Sequence, residues 1–86
     1  MKRSTKNQIE ELVKAINKKN DSQEQYEVKV EKYGRVKYSM DIFYKKIMFS
    51  TDFEEIIKLC FAENLMVRPS VMNLKNGEHL NYLAIQ

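Results

Sequence analysis

Ile9, Leu12, Val13 and Ile16 recur at i, i+3, i+4 and i+7. That single apolar stripe at helical period predicts a first helix. Ser4 or Thr5 stands where it can cap the helix, and Thr5 with Gln8 has the T-x-x-Q spacing of a capping box. Glu10 and Lys14 form an i,i+4 pair on the wet side, and the turn formers from Asn17 to Ser22 stop the helix. The period then switches to two. Tyr26, Val28 and Val30 point one way and Glu27, Lys29 and Glu31 the other; after Gly34 the alternation resumes as Val36, Tyr38 and Met40. Two hairpin registers compete. A two-residue loop at Tyr33-Gly34 sets Val30 opposite Lys37 and scatters apolar residues over both faces. A three-residue loop, Lys32-Tyr33-Gly34, pairs Val30 with Val36, Val28 with Tyr38 and Tyr26 with Met40, so every apolar side chain shares one face. Its cost is a Lys29–Lys37 like-charge pair, worth about a few tenths of a kcal/mol. The second register is expected, with the opposite face wet and chemically inert.

Residues 42–49, IFYKKIMF, carry no Gly or Pro and are too apolar for a loop, which predicts a third strand. Ser50 to Glu55 then opens a second helix, with Thr51 and Glu54 as its capping box and acids in the first turn to suit the helix dipole. Phe53, Ile56, Ile57, Cys60 and Phe61 form its buried stripe, widened by Leu59 and Ala62. Asn64 is a left-handed stop and Pro69 forbids continuation. Asn76-Gly77 is a hairpin signal. A two-residue loop there pairs Lys75 with Glu78, Leu74 with His79 and Val71 with Tyr82, and leaves neither face cleanly apolar. There are no internal sequence repeats. The expected fold is α+β in the order α-β-β-β-α-β-β: a two-layer sandwich, a mostly antiparallel sheet with two helices on one face.

Length bounds this to one domain, residues 1–86, with residues 1–4 as a flexible basic tail. Composition, 43% hydrophobic and 31% charged, is that of a globular domain. No apolar run approaches the roughly 20 residues of a membrane span, and no signal-peptide stretch is present, so a cytoplasmic location without membrane contact is expected. Cys60 alone makes no internal disulfide, and with the single His79 it fills no metal site. Cys60 reads as core and His79 as an ordinary strand or surface residue. No glycine-rich phosphate loop or nucleophile motif occurs. No catalytic residue, metal or cofactor is therefore expected, and the chain reads as non-enzymatic.

The net charge is +3. It is uneven, with +4 in residues 1–20 and −3 in residues 50–65, and twelve of the fifteen cations are Lys. Helix, three strands, helix, with Tyr26-Glu27-Val28 as first strand, resembles double-stranded-RNA-binding domains. Ser50 to Glu55, however, replaces the lysines with which that family grips phosphate. The hairpin from Tyr26 to Ile42 with Phe53 to Ile57 resembles Src-homology phosphotyrosine-reading domains, but Asn20 to Gln25 supplies no phosphate-binding Arg. Neither function carries over.

The expected function is a protein-binding inhibitor or adaptor. The abundance of Lys, Ile, Asn and Tyr suggests a phage or mobile element of an AT-rich bacterium as its source. Contacts are expected at Lys32, Tyr33, Arg35, Tyr44, Lys45 and Lys46, with self-association through a sheet edge or the C-terminal hairpin. The alternative is nucleic-acid binding by Lys2, Arg3, Lys6, Lys14, Lys18 and Lys19 together with a Lys29/Lys37 sheet face.

Overall fold

A computed structural model describes all of residues 1–86. Its elements are α1 (Arg3–Asn20), β1 (Glu27–Tyr33), β2 (Lys37–Tyr44), α2 (Ser50–Ala62), β3 (Val67–Asn73) and β4 (His79–Ile85). The strands form one antiparallel sheet in the order β1-β2-β4-β3, and both helices pack on one of its faces. This is the expected α+β sandwich with one strand fewer: the order is α-β-β-α-β-β.

The missing strand follows from the first hairpin's register. The loop is Gly34-Arg35-Val36, so Lys32 faces Tyr38, Val30 faces Met40 and Val28 faces Ile42. β1 therefore runs two residues further than the expected pairing, β2 starts two residues later, and Ile42 to Tyr44 become the end of β2. Parity is unchanged, so Val28, Val30, Tyr38, Met40 and Ile42 still share the inner face. Val28 and Val30 keep apolar partners in Ile42 and Met40, and the gain is an attractive Lys29–Asp41 pair in place of Lys29–Lys37. Val36 is left in the turn, 69% exposed. Without a third strand, the order that resembled RNA-binding domains does not exist.

The second hairpin is corrected by one residue. Met72 pairs with Leu80 and Ser70 with Tyr82, around a three-residue loop in which Gly77 takes φ +84°. That odd shift changes which side chains face inward. Leu83 and Ile85 now join the core, and Leu80 and Tyr82 face out.

Ile9, Val13 and Ile16 of α1, Ile56 and Cys60 of α2, Met40 and Ile42 of β2, Leu83 and Ile85 of β4, and Tyr26 make up the core. Neither capping box forms. α1 starts at Arg3, which puts Thr5 inside the first turn, buried, and α2 starts at Ser50 behind Phe49. Arg3 and Ser4 of the expected tail thus belong to α1, while Met1 exchanges backbone hydrogen bonds with Tyr38. Glu10 pairs with Lys6 at 2.9 Å rather than with Lys14, which meets Glu11 at 3.6 Å. Asn64 takes the left-handed conformation, φ +57°, that ends α2. Phe61 and Ala62 lie outside the stripe, Phe61 at 67% exposed, because the sheet-facing line of α2 runs through Asp52, Ile56 and Cys60.

The topology repeats. Val28 and Ile42 correspond to Pro69 and Leu83, each 41 positions later, and Ile42 pairs with Leu83 across the middle of the sheet. An approximate two-fold axis normal to the sheet therefore passes through the Ile42–Leu83 pair and relates α1-β1-β2 to α2-β3-β4. No sequence similarity accompanies it.

Candidate binding surface

One polar knot fixes the helical layer. Asp52, in the first turn of α2, is fully buried. Its carboxylate accepts hydrogen bonds from Tyr26 Oη at 2.7 Å, Asn20 Nδ2 at 2.9 Å and Lys19 Nζ at 3.2 Å. Tyr26 Oη in turn accepts from the Phe49 backbone N–H at 3.1 Å. Burial pushes the Asp52 carboxyl up, but the three donors and the Lys19 charge outweigh it and hold it below its ordinary range. Burial and the Asp52 bond push the Tyr26 hydroxyl up to about 12. The knot ties the end of α1 to the start of α2, and with every donor and acceptor matched it is a structural device.

The opposite face of the sheet is covered by no element of the chain. Register places Phe43 beside Tyr82 on the two central strands, their ring centroids 5.2 Å apart. Leu80 follows Tyr82 on the same face, Met72 lies opposite Leu80, and Leu74 follows Met72. Met72 is 43% and Leu74 38% exposed; Phe43, Leu80 and Tyr82 are half-buried. A depression of about 550 Å³ at the hairpin end, lined by Lys45, Leu74 and Leu80 among others, borders this patch. The outer face, expected to be wet and inert on the first hairpin, is thus apolar over its β4–β3 half, where neither face was expected to be cleanly apolar. Missing this follows from the one-residue register error, which set Val71 rather than Ser70 against Tyr82 and so placed Met72 and Leu74 on the face away from Leu80 and Tyr82.

The β1–β2 half of the same face is charged. Lys29 and Lys37 share it with Glu27, Glu31 and Asp41, two cations against three acids, while Arg68 lies across the sheet on β3. Burial and the neighbouring Glu31 raise the Asp41 carboxyl above its ordinary value, partly offset by Lys29.

The expected contact residues fall into two groups. Lys32, Tyr33 and Arg35 sit at the first turn; Tyr44, Lys45 and Lys46 sit at the other end of β2, roughly 23 Å away at strand rise. Tyr44 faces the core side, half-buried. Of the six, Lys45 alone borders the apolar patch. The cations of the nucleic-acid alternative are also divided. Lys2, Arg3, Lys6, Lys14, Lys18 and Lys19 belong to the helical layer, where Lys6, Lys14 and Lys19 are ion-paired. Lys29 and Lys37 lie on the far side of the sheet.

Cys60 is sealed in the core, its thiol pushed up to about 11 by burial. His79 is exposed at the strand end, with Nδ1 2.6 Å from Asn73 Oδ1. No helix is long and apolar enough to cross a membrane. The chain matches no protein-family model, and no curated protein or solved structure shows a significant match to it.

Proposed function

We propose that this chain is a non-enzymatic protein-binding module, an inhibitor or adaptor working in the cytoplasm of an AT-rich bacterium or its phage, that docks through the uncovered sheet face. The observation supporting this reading is the connected patch Phe43–Tyr82–Leu80–Met72–Leu74, with an aromatic pair at its centre and mixed charge around it. Aromatic anchors ringed by polar residues are what protein interfaces use. A polyanion partner is less suited, because Glu27, Glu31 and Asp41 sit among the cations of that face and three α1 lysines are already paired.

The test is affinity capture from the native host with the wild type, with Tyr82→Arg/Met72→Glu, and with Tyr33→Ala/Lys46→Ala. The face variant is expected to lose the protein partner while the turn variant keeps it, both retaining the wild-type unfolding midpoint. Equal capture by the face variant overturns the reading. So does micromolar binding of oligonucleotides that falls steeply with salt, which restores the nucleic-acid alternative.

A further inference from the structure

The two edges of the sheet are built differently. On β3, Met66 and Gln86 exchange N–H···O=C bonds at 2.9 and 3.1 Å, and the Leu74 N–H reaches the Glu78 carbonyl at 2.9 Å. Even-numbered residues of β3 therefore bond to β4, and the odd-numbered ones turn their backbone outward. Pro69 occupies one of those outward positions, where its missing N–H costs the ladder nothing and blunts the edge.

On β1 the same reasoning gives the opposite result. Tyr38 spends both its N–H and its C=O on Met1, at 2.8 and 2.7 Å, so the Lys32–Tyr38 pair is not hydrogen-bonded. By alternation the N–H and C=O groups of Val28, Val30 and Lys32 point away from the sheet. Seven residues without Pro, Gly or a covering segment leave this edge open.

We propose that β1 pairs antiparallel with β1 of a second copy of this chain, centred on Val30, to give a continuous eight-stranded sheet. Outward-facing backbone groups then meet as hydrogen-bonded pairs: Val30 with Val30 of the partner subunit, and Val28 with Lys32 of the partner subunit. The exposed side chains select this register. Lys29 falls opposite Glu31 of the partner subunit, and Glu31 opposite Lys29 of the partner subunit, two attractive pairs. Sliding the centre to Lys29 sets Lys29 against itself and Glu27 against Glu31, like charges in both rows. Centring on Val28 strands Val30 to Tyr33 beyond the partner strand. On the inner side, half-buried Val28 borders a groove of about 260 Å³ between α1 and β1, lined also by Glu10, Val13 and Lys14. The chosen register lays Lys32 of the partner subunit along this groove, where Glu10 meets its ammonium. This pairing uses the edge and leaves the apolar face free, so it stands apart from the function proposed above.

Sedimentation of the wild type as a function of concentration, up to about 1 mM, is expected to show a monomer–dimer equilibrium. Lys29→Glu and Glu31→Lys each replace two attractive pairs by repulsive ones and are expected to weaken the dimer about tenfold or more. Mixed together, the two variants are expected to form a heterodimer at least as tight as the wild type, since every cross-strand pair is again opposite in sign. Val30→Pro removes an outward N–H that the β1–β2 ladder does not use, and is expected to abolish dimerisation in a folded chain. Amide exchange at Val28, Val30 and Lys32 is expected to slow as concentration rises. A wild type monomeric throughout overturns the proposal. So does a dimer indifferent to both charge variants, or one that Tyr82→Arg abolishes and Val30→Pro does not.

Discussion

The two α-β-β halves share a topology and differ in what their hairpins show to water. In β1 and β2 the outer positions are Glu27, Lys29, Glu31, Lys37, Ser39 and Asp41, with Tyr33 beside the turn and Phe43 at the border as the exceptions. In β3 and β4 they are Met72, Leu74, Leu80, Tyr82 and Ala84 beside Arg68 and Ser70. The first hairpin has one solvated face, so its alternation is clean; the second has none that is fully polar, so its alternation is blurred. Blurred alternation in a surface hairpin is therefore informative: it marks an apolar outer face, the surface on which the proposed function rests.

The largest effects are expected at the point the halves share. Ile42→Ala and Leu83→Ala remove buried, symmetry-related side chains that are 0% and 1% exposed. Each is expected to cost about 2–5 kcal/mol in urea unfolding, and by nearly the same amount. A large inequality would show that one half folds without the other.

Next comes the knot, which the halves do not share, since α1 carries no counterpart of Asp52. Tyr26→Phe leaves the Phe49 N–H unpaired and Asp52 with one donor fewer, at an expected cost of about 1–3 kcal/mol. Because the folded Asp52 carboxyl lies below its unfolded value of 3.8, its contribution is present above about pH 4 and is lost as pH falls further. Acid titration of stability is expected to be shallower for Asp52→Asn than for the wild type. The alkaline limb has the opposite sign. Tyr26 rises from 10.0 to about 12 and Cys60 from 9.0 to about 11, so their contributions hold below those unfolded values and disappear as pH passes through the folded ones.

Smaller effects sharpen the contrast. Gly34 (φ +69°) and Gly77 (φ +84°) have nothing within 4 Å of an added Cβ. Alanine at either should therefore cost only backbone strain, about 1 kcal/mol, equally in the two hairpins by thermal melting. Smallest of all, Met72→Lys on the outer face is expected to change stability by no more than about 0.5 kcal/mol. A loss several times larger would mean that the patch belongs to the fold and not to a partner.

The sequence disclosed the fold more readily than the surface. The stripe Ile9–Val13–Ile16 and the alternation around Val28 and Val30 each repeat a period often enough to define an inner face, and parity survived a misplaced loop. Ile42 to Phe49 misled because apolar content alone does not separate a strand end from a half-buried connection; Met48 packs against the core there without strand pairing. The patch was hidden because the Asn76-Gly77 signal favours a two-residue loop, and a single-residue difference exchanges the faces. The Asp52 knot had a sequence trace only as helix-start acid; nothing local indicates that Tyr26 and Asn20 converge on it.

The Ile42–Leu83 row also governs the order of events during synthesis. α1, β1 and β2 leave the ribosome first, but the inner side of β2 lacks its central neighbour until β4 has cleared the exit tunnel. Cooperative folding is thus deferred until β4 has emerged, and until then the nascent N-terminal half holds Met40 and Ile42 open to chaperones.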